Sequence, residues 1–382
     1  MAQNNGIRVT RICHLTSVHT RSDTRIFLKQ CRSLARAGYE VSLVVADGLG
    51  DEDREGVRIV DAGSSRGRVD RMIGATRRVL AKALAIDAKV YHLHDPELLP
   101  VGLRLKRMGK TVIFDAHEDL PRQVLSKPYL HPLIRGTVSR TVAALEHFAC
   151  PRFDAVIGAT PAIAQKFSTF CSYTASIYNY PMEGELAPVD PDAQKATEVC
   201  YVGGINAIRG VLQVVEAMSL VRPPTRLNLA GGFVEAETRR LARAHAGWSL
   251  VNELGFLSRQ QVRDVLARSM AGIVTFLPEP NHVEAQPNKM FEYMSAGLPV
   301  IASNFPLWRE IVEGNECGIC VDPLDPSAIA AAIDTIAGNP ELARHMGEKG
   351  RRAVEQRYNW AVEEKKLLDL YDRLLVPRTD AA

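Results

Sequence analysis

Strand-sized apolar runs alternating with amphipathic helical stretches, in two successive series, predict an α/β protein of two doubly wound parallel-sheet domains facing a cleft. Three observations carry this prediction. The chain has 382 residues, more than one ordinary core organises. Its apolar runs, such as Val41–Ala46 and Leu298–Ala302, have the length of strands. None approaches the roughly 20 residues of a membrane-spanning helix. The alternation also breaks once, around Ile177–Pro181, and then restarts.

In the first series the strands fall at Arg8–Leu15, Glu40–Ala46, Val57–Asp61, Val90–His94, Thr111–Asp115 and Ala155–Ala159. Helical patterns lie near Thr24–Ala37, Val69–Ala85, Glu97–Met108 and Pro132–Ala149. Gly38 and Gly109 stand where a helix stops just before a strand. A polar, proline-containing hinge runs from the break to about Ala196. The second series has strands near Val199–Gly203, Arg226–Ala230, Gly272–Leu277, Pro299–Ala302 and Gly318–Val321. Its helices fall near Arg209–Leu220, Glu235–Ala246, Ser258–Ala267, Asn288–Ala296, Pro326–Ile336 and Glu341–Tyr358. In a last stretch, Trp360–Leu375, the residues Leu367, Leu368, Tyr371 and Leu375 recur at helical spacing.

Composition narrows the class. With 46% hydrophobic and 24% charged residues, the chain reads as a soluble globular enzyme and not as a disordered polymer. Seven scattered cysteines argue against a disulfide framework, and no charged-then-apolar leader pattern opens the chain, so a cytoplasmic location is expected. Residues 1–180 hold 26 Lys+Arg against 17 Asp+Glu, whereas 181–382 hold 21 against 27. The basic half suits an anionic partner, such as the inner face of a membrane or a phosphorylated acceptor, or else is uneven solvated surface. Arg66, Arg68, Arg71, Arg77, Arg78 and Lys82, interspersed with Val69, Met72, Ile73, Val79 and Leu80, form a basic amphipathic segment. Nucleic acid is not expected, because no recognition motif or stacking set accompanies these charges. His92 and His94 lie on one face of a strand; with no further ligand cluster they read as buried or acceptor-facing histidines rather than a metal pair. Cys317 and Cys320 read as strand cysteines.

The chemistry concentrates in Glu284-Ala-Gln-Pro-Asn-Lys-Met-Phe-Glu292, followed by Ala296-Gly297-Leu-Pro-Val. Pro287 suits the first helical position and Gly297 the residue past the end, which places Glu284 in the preceding loop. Asn288 and Glu292 are four apart and share a face, with Lys289 on the neighbouring turn. A helix N-terminus beside two carboxylates suits a diphosphate flanked by sugar hydroxyls. Each charge-assisted hydrogen bond is worth roughly 1.5–3 kcal/mol, while the helix end supplies at most about 2 kcal/mol, so cations are needed as well. Arg209 and Lys289 are the candidates; Arg209 opens a helix after the turn at Gly203-Gly204, where glycine lets backbone approach phosphate.

The E-x7-E pattern of Glu284 and Glu292, with Asn288-Lys289 inside it, resembles the signature of the family-four retaining glycosyltransferases of GT-B fold, including those that build bacterial cell-surface polysaccharides. Other landmarks fall in the family's order: Asp23-Thr24-Arg25-Ile26-Phe27, Asp115-Ala116-His117-Glu118-Asp119, Asn179-Tyr180-Pro181 and Arg209-Gly210. The resemblance implies two Rossmann-like domains. These would be residues 1–178 on the acceptor side and 179–358 binding the nucleotide-sugar, with a C-terminal helix in 359–382 crossing back to the first domain. It implies that Glu292 holds the ribose, Glu284 contacts the transferred sugar, and Arg209 with Lys289 neutralises the diphosphate. Gly255-Phe256 would lie near the base, and His117 would face the donor sugar and stabilise the reacting centre. No metal or other cofactor is expected. Transfer would retain anomeric configuration and deliver the sugar to a glycan or lipid-linked acceptor. Gly204 stands where many relatives carry a second basic residue, which leaves Lys289 to compensate, and Val18–Ser22 replaces a glycine-rich loop.

Two other classes share this shape. A nucleotide-sugar epimerase needs acid and base groups around one sugar carbon and no acceptor, so donor alone would yield an epimer. A non-catalytic nucleotide-sugar-binding protein would not need Glu284, Glu292, Arg209 and His117 together. A nicotinamide dehydrogenase is not expected, because no G-x-G-x-x-G follows the first strand.

Overall fold

The computed structural model describes residues 9–67, 70–125, 131–186 and 196–376. They form two compact units: the chain up to Asn179 together with the segment from Val362, and Tyr180–Ala361. The unit boundary therefore runs through the last helix, Trp360–Leu375. Trp360 stays with the second unit, where its N–H donates to Pro181 O at 2.8 Å. Glu363 and Tyr371 belong to the first, where the buried Glu363 accepts from Tyr178 N at 2.8 Å.

The first sheet contains β1 (Arg11–Leu15), β2 (Glu40–Val45), β3 (Glu52–Arg54), β4 (Val57–Asp61), β5 (Val90–Leu93), β6 (Thr111–Ala116), β7 (Ala155–Gly158) and β8 (Thr174–Ser176). Their order is β3-β4-β2-β1-β5-β6-β7-β8, parallel except for β3 against β4. The second sheet contains β9 (Glu198–Val202), β10 (Arg226–Ala230), β11 (Val251–Gly255), β12 (Ala271–Val274), β13 (Val300–Ser303) and β14 (Gly318–Val321). Its order is β11-β10-β9-β12-β13-β14, all parallel. Both windings reverse once, between β1 and β5 and between β9 and β12, and ligand crevices open beyond the carboxyl ends of strands at such points.

The central strands were legible because helices cover both their faces, which makes them continuous apolar runs: β5, β12 and β13 are buried throughout. The unpredicted strands are edges or short. β3 reads Glu-Asp-Arg, β8 Thr-Ala-Ser, and β11 is only partly buried along its length, compositions that keep sheet edges from pairing with other chains. Four short α-helices among the described residues, Leu120–Leu125, Pro161–Ser168, Pro280–Val283 and Pro306–Val312, also escaped prediction; the last three open on proline. The helix after Asp23 is wider than an ordinary α-helix over Thr24–Cys31 and becomes regular over Arg32–Arg36. Asp23 starts it by accepting from the N–H groups of Arg25 and Ile26 at 2.8 and 2.9 Å. Arg8, Arg68 and Val69 of the predicted elements lie outside the described residues. Among the described residues no helix is long and apolar enough to cross a membrane.

Candidate functional site

In the second unit, glycines shape the crevice end of the sheet. Gly203, just after β9, has φ +116°, and Gly231, just after β10, has φ +139°. A Cβ on Gly231 would lie 2.0 Å from Gly203 O, so the two turns touch backbone to backbone. Asn206 caps the next turn by accepting from Arg209 N at 3.0 Å. Arg209 therefore sits in a tight turn, Ala207–Arg209, and the helix proper is Val211–Met218. This corrects the expectation that Arg209 opens the helix: left-handed Gly210 intervenes, and any side chain there would strike Thr275 O. Arg209 Nη1 donates to Gly204 O at 3.2 Å, and its guanidinium lies 5.4 Å from the Phe276 ring centre.

The helix Asn288–Ser295 closes this end. Tyr293 packs flat on Gly272, where a Cβ would come within 2.3 Å of the ring. Its hydroxyl accepts from Val202 N at 2.9 Å and donates to Ile273 O at 3.4 Å, which ties the helix to both strands of the winding reversal. Pro287 stands one place before the helix rather than in it. The loop carrying Glu284 is pinned by Trp308 Nε1 donating to Ala285 O at 2.7 Å and by Tyr180 Oη donating to Gln286 Oε1 at 3.2 Å. Glu284 and Asn288 are exposed and Glu292 is half-buried.

Lys289 is the least expected member. Only 7% exposed, its ammonium lies 3.6 Å from the Tyr201 ring centre and beneath Gly203, with no hydrogen-bond partner among the described residues. Burial, and then the neighbouring Arg209, push its pKa well below the ordinary lysine value. A buried ammonium without a hydrogen-bond partner is costly, and the facing ring and the carboxylate of Glu292 offset only part of that cost. Glu292 already has a partner that the sequence did not reveal: Arg259 Nη2 at 2.8 Å, whose Nε donates to Glu185 at 2.7 Å. Ser258 and Gln261 form a capping box that marks the helix start, but nothing in that signal singles out Arg259. Phe256, after left-handed Gly255, is 89% exposed and lies over Gly232.

In the first unit, His117 follows β6 at the carboxyl edge. Its Nε2 lies 3.2 Å from His94 Nδ1 and 3.4 Å from Asp115 Oδ2. Asp115 is fully buried and bidentate to Arg25 at 2.9 and 2.7 Å, and it accepts from Gln30 at 2.7 Å. Desolvation opposes its charge, yet Arg25 and His117 hold the carboxyl well below its usual range. The histidine pair of β5 also has company that sequence spacing did not show. His14 of β1 joins His92 and His94, and His94 joins Asp115 and His117; within each trio the potential ligand atoms lie within 4.8 Å of one another. The His14 and His94 rings are nearly coplanar and joined nitrogen to nitrogen at 2.9 Å, so those nitrogens serve a hydrogen bond. The loop after β1 is fixed by Asp95, which accepts from Thr16 Oγ1 at 2.8 Å and Ser17 N at 2.6 Å. In the basic segment, Val79 is core, Arg78 donates to Ala62 O at 2.8 Å, and Met72 and Ile73 are exposed. Cys317 and Cys320 are unbridged, as are the other cysteines.

Two doubly wound sheets of like winding define the GT-B class, and solved structures agree. The sucrose-phosphate synthase of Thermosynechococcus elongatus superposes with TM-score 0.77 at 20% identity, covering 96% of this chain and 99% of that one. The Anabaena protein HepE, solved with UDP-glucose, gives 0.70 at 15% identity over 95% and 99%. The family pattern described as "Glycosyl transferases group 1" matches residues 185–353, and that of the "Glycosyl transferase 4-like domain" matches residues 24–171. The glycogen synthase of Mycobacterium tuberculosis is 23% identical over 295 residues, 69% of this chain and 70% of its own length. The chain belongs to this family of glycosyltransferases, family-four-like and of GT-B fold.

Proposed function

We propose that this glycosyltransferase takes a nucleotide-sugar into its second unit and transfers the sugar, with retention and without a metal, to a glycan or lipid-linked acceptor of cell-surface polysaccharide synthesis. One observation supports the donor assignment: the buried ammonium of Lys289, without a hydrogen-bond partner among the described residues, beside Arg209, under a glycine turn and next to a helix N-terminus. An arriving diphosphate supplies hydrogen-bond acceptors and an anion that favours the charged form of Lys289. Glu292 then accepts from the ribose hydroxyls, with Arg259 holding the carboxylate in place. Glu284 and Asn288 meet the transferred sugar, and the glycines at 203, 204 and 255 let backbone approach the ligand. The exposed ring of Phe256 offers a face to the base. His117 is the first unit's contribution to the transfer step.

In the retaining step the C1–phosphate bond breaks as the acceptor oxygen bonds C1 on the same face, and the departing phosphate oxygen takes the acceptor's proton. Arg209 and Lys289 stabilise the charge that develops on the diphosphate, the role a metal plays elsewhere. Exposed Met72 and Ile73 beside Arg77 are consistent with acceptor synthesis at the inner face of a membrane. A thermal-shift panel of nucleoside diphosphates and their sugars tests the donor class, since a ligand of the native state raises its stability with affinity. We expect one base to raise the melting temperature; no response to any would overturn the assignment. Incubation with donor alone separates transfer from epimerisation, and an epimeric product would select the latter.

A further inference from the structure

One face of the first sheet carries more titratable groups than donor binding or transfer requires. His14 and His92 are register partners on β1 and β5, and His94, two residues on, shares their face. His14 and His92 are 0% exposed and His94 is 2% exposed. His14 Nδ1 lies 2.9 Å from His94 Nε2, and His94 Nδ1 lies 3.2 Å from His117 Nε2. At the other end, the Tyr371 hydroxyl of the last helix lies 3.4 Å from His14 Nε2 and 2.8 Å from His92 Nδ1. An unbroken line of hydrogen bonds thus joins the last helix to His117. The Asp115 carboxylate lies alongside, 3.4 Å from His117 Nε2, 3.5 Å from His94 Nδ1 and 3.9 Å from His92 Nε2.

Burial keeps the interior members neutral: it lowers His94 to about 3 and holds His14 and His92 well below the ordinary histidine value. A neutral imidazole has one N–H and one lone pair, so the line has two directions only. In the inward direction His117 Nε2–H donates to His94, His94 Nε2–H to His14, His14 Nε2–H to the Tyr371 oxygen, and the Tyr371 O–H to His92 Nδ1. His92 Nε2, which has no hydrogen-bond partner among the described residues, then turns a proton towards Asp115 Oδ2 at 3.9 Å, an electrostatic contact. In the outward direction every proton reverses. Inward, two N–H groups and one lone pair face the carboxylate; outward, one N–H and two lone pairs. Beside an anion fixed by Arg25, the inward direction wins.

We infer that His94, His14 and Tyr371 are positioning residues for His117, placing a proton on its Nε2, so that in a neutral imidazole Nδ1 is the lone pair. Such a nitrogen accepts from a sugar or acceptor hydroxyl, a consequence that rests on the transfer role given to His117 above. The other charged or titratable groups facing His117 are Arg25 through Asp115, and His19, whose ring centre is 5.0 Å away and which is held by Asp23 at 3.3 Å and Asp95 at 3.4 Å.

The test is long-range proton–nitrogen NMR on the full chain labelled at histidine, comparing wild type with Tyr371→Phe, which keeps the ring and removes the hydroxyl. Wild type should show His117 protonated at Nε2. In Tyr371→Phe, His14 Nε2–H loses its acceptor, the line reverses, and the His117 population moves to Nδ1–H. The turnover rate should fall about tenfold, with KM for the donor within about twofold. His94→Gln, which keeps a donor and an acceptor, should retain more activity than His94→Leu. An unchanged His117 tautomer in Tyr371→Phe, at unchanged melting temperature, would overturn the inference, as would Nδ1–H in wild type. A shifted tautomer with unchanged turnover would support the line and refute the transfer role of His117 instead.

Discussion

Lys289→Met should move stability and affinity in opposite directions. Methionine keeps an unbranched chain of similar reach over Tyr201 and under Gly203, so packing survives while the charge goes. Without nucleotide, the ammonium has no hydrogen-bond partner among the described residues. The buried amine must either shed its proton or stay charged without a hydrogen bond; a hydrophobe removes that cost of about 1–3 kcal/mol, and the lost contact with the Tyr201 ring returns part of it. A net gain of about 1–2 kcal/mol raises the melting temperature by a few degrees, at about 2–4 °C per kcal/mol for a unit of this size. With nucleoside diphosphate, the variant loses a charge-assisted contact worth about 1.5–3 kcal/mol, a roughly 10- to 150-fold weaker Kd.

A pH signature accompanies both effects. The folded pKa of Lys289 is depressed, so below the unfolded value of about 10.4 the unfolded chain binds the extra proton. Native stability therefore rises with pH through that window in wild type, and this component disappears in Lys289→Met. Diphosphate binding restores the charge, so titration calorimetry in buffers of different ionisation enthalpy should detect proton uptake by wild type and less by the variant. An unchanged Kd, or an apo melting temperature that falls, would refute the proposal that this lysine awaits an anion.

Three further outcomes follow. Glu292→Ala should weaken nucleoside diphosphate binding by about 1.5–3 kcal/mol in calorimetry while Arg259 keeps Glu185; equal affinity removes the ribose role. His117→Ala should leave nucleotide affinity nearly intact and slow transfer in a steady-state assay, and equal rates would count against it. Asp115→Asn should cost about 3–5 kcal/mol in urea unfolding at neutral pH, because it leaves Arg25 without its anion. Since the folded carboxyl is depressed, the wild-type advantage is full above the unfolded pKa of about 3.9 and shrinks as pH falls below it; a gap that stays constant into acid would contradict the ion-pair account.

What the sequence revealed and what it hid divide along physical lines. Apolar runs sandwiched by helices announce themselves, whereas β3, β8 and β11 do not, since an edge strand is specified by its neighbour rather than by its own burial. The spacing of Asn288 and Glu292 correctly suggested a shared helix face. It could not reveal that Lys289, one residue round, turns inward and loses its water, because helical phase alone does not fix which neighbour lies above. Arg25 and Asp115 were both noticed as landmarks, yet their bidentate pairing spans 90 residues and depends on strand register. The partner of the His92–His94 pair was hidden for the same reason: His14 lies on a parallel neighbour, and the crossover between parallel strands leaves no local signal.

The same winding gives the two crevices different electrostatic characters, and this is the physical ground for proposing that the donor binds in the second unit. Beyond β9 the turn presents glycine backbone with two basic side chains beneath or beside it, one of them without a hydrogen-bond partner among the described residues. Beyond β1 the equivalent amides are already taken: Ser17 N and Val18 N donate to the Asp95 carboxylate at 2.6 and 3.3 Å. A diphosphate arriving there would have to displace an internal anion or sit beside it, and like charges at that range repel by several kcal/mol where water is excluded. Asp95 thus does for the first sheet what a bound phosphate would do, bracing the loop from inside. That leaves the edge to His19 and His117, whose ring centres lie 5.0 Å apart.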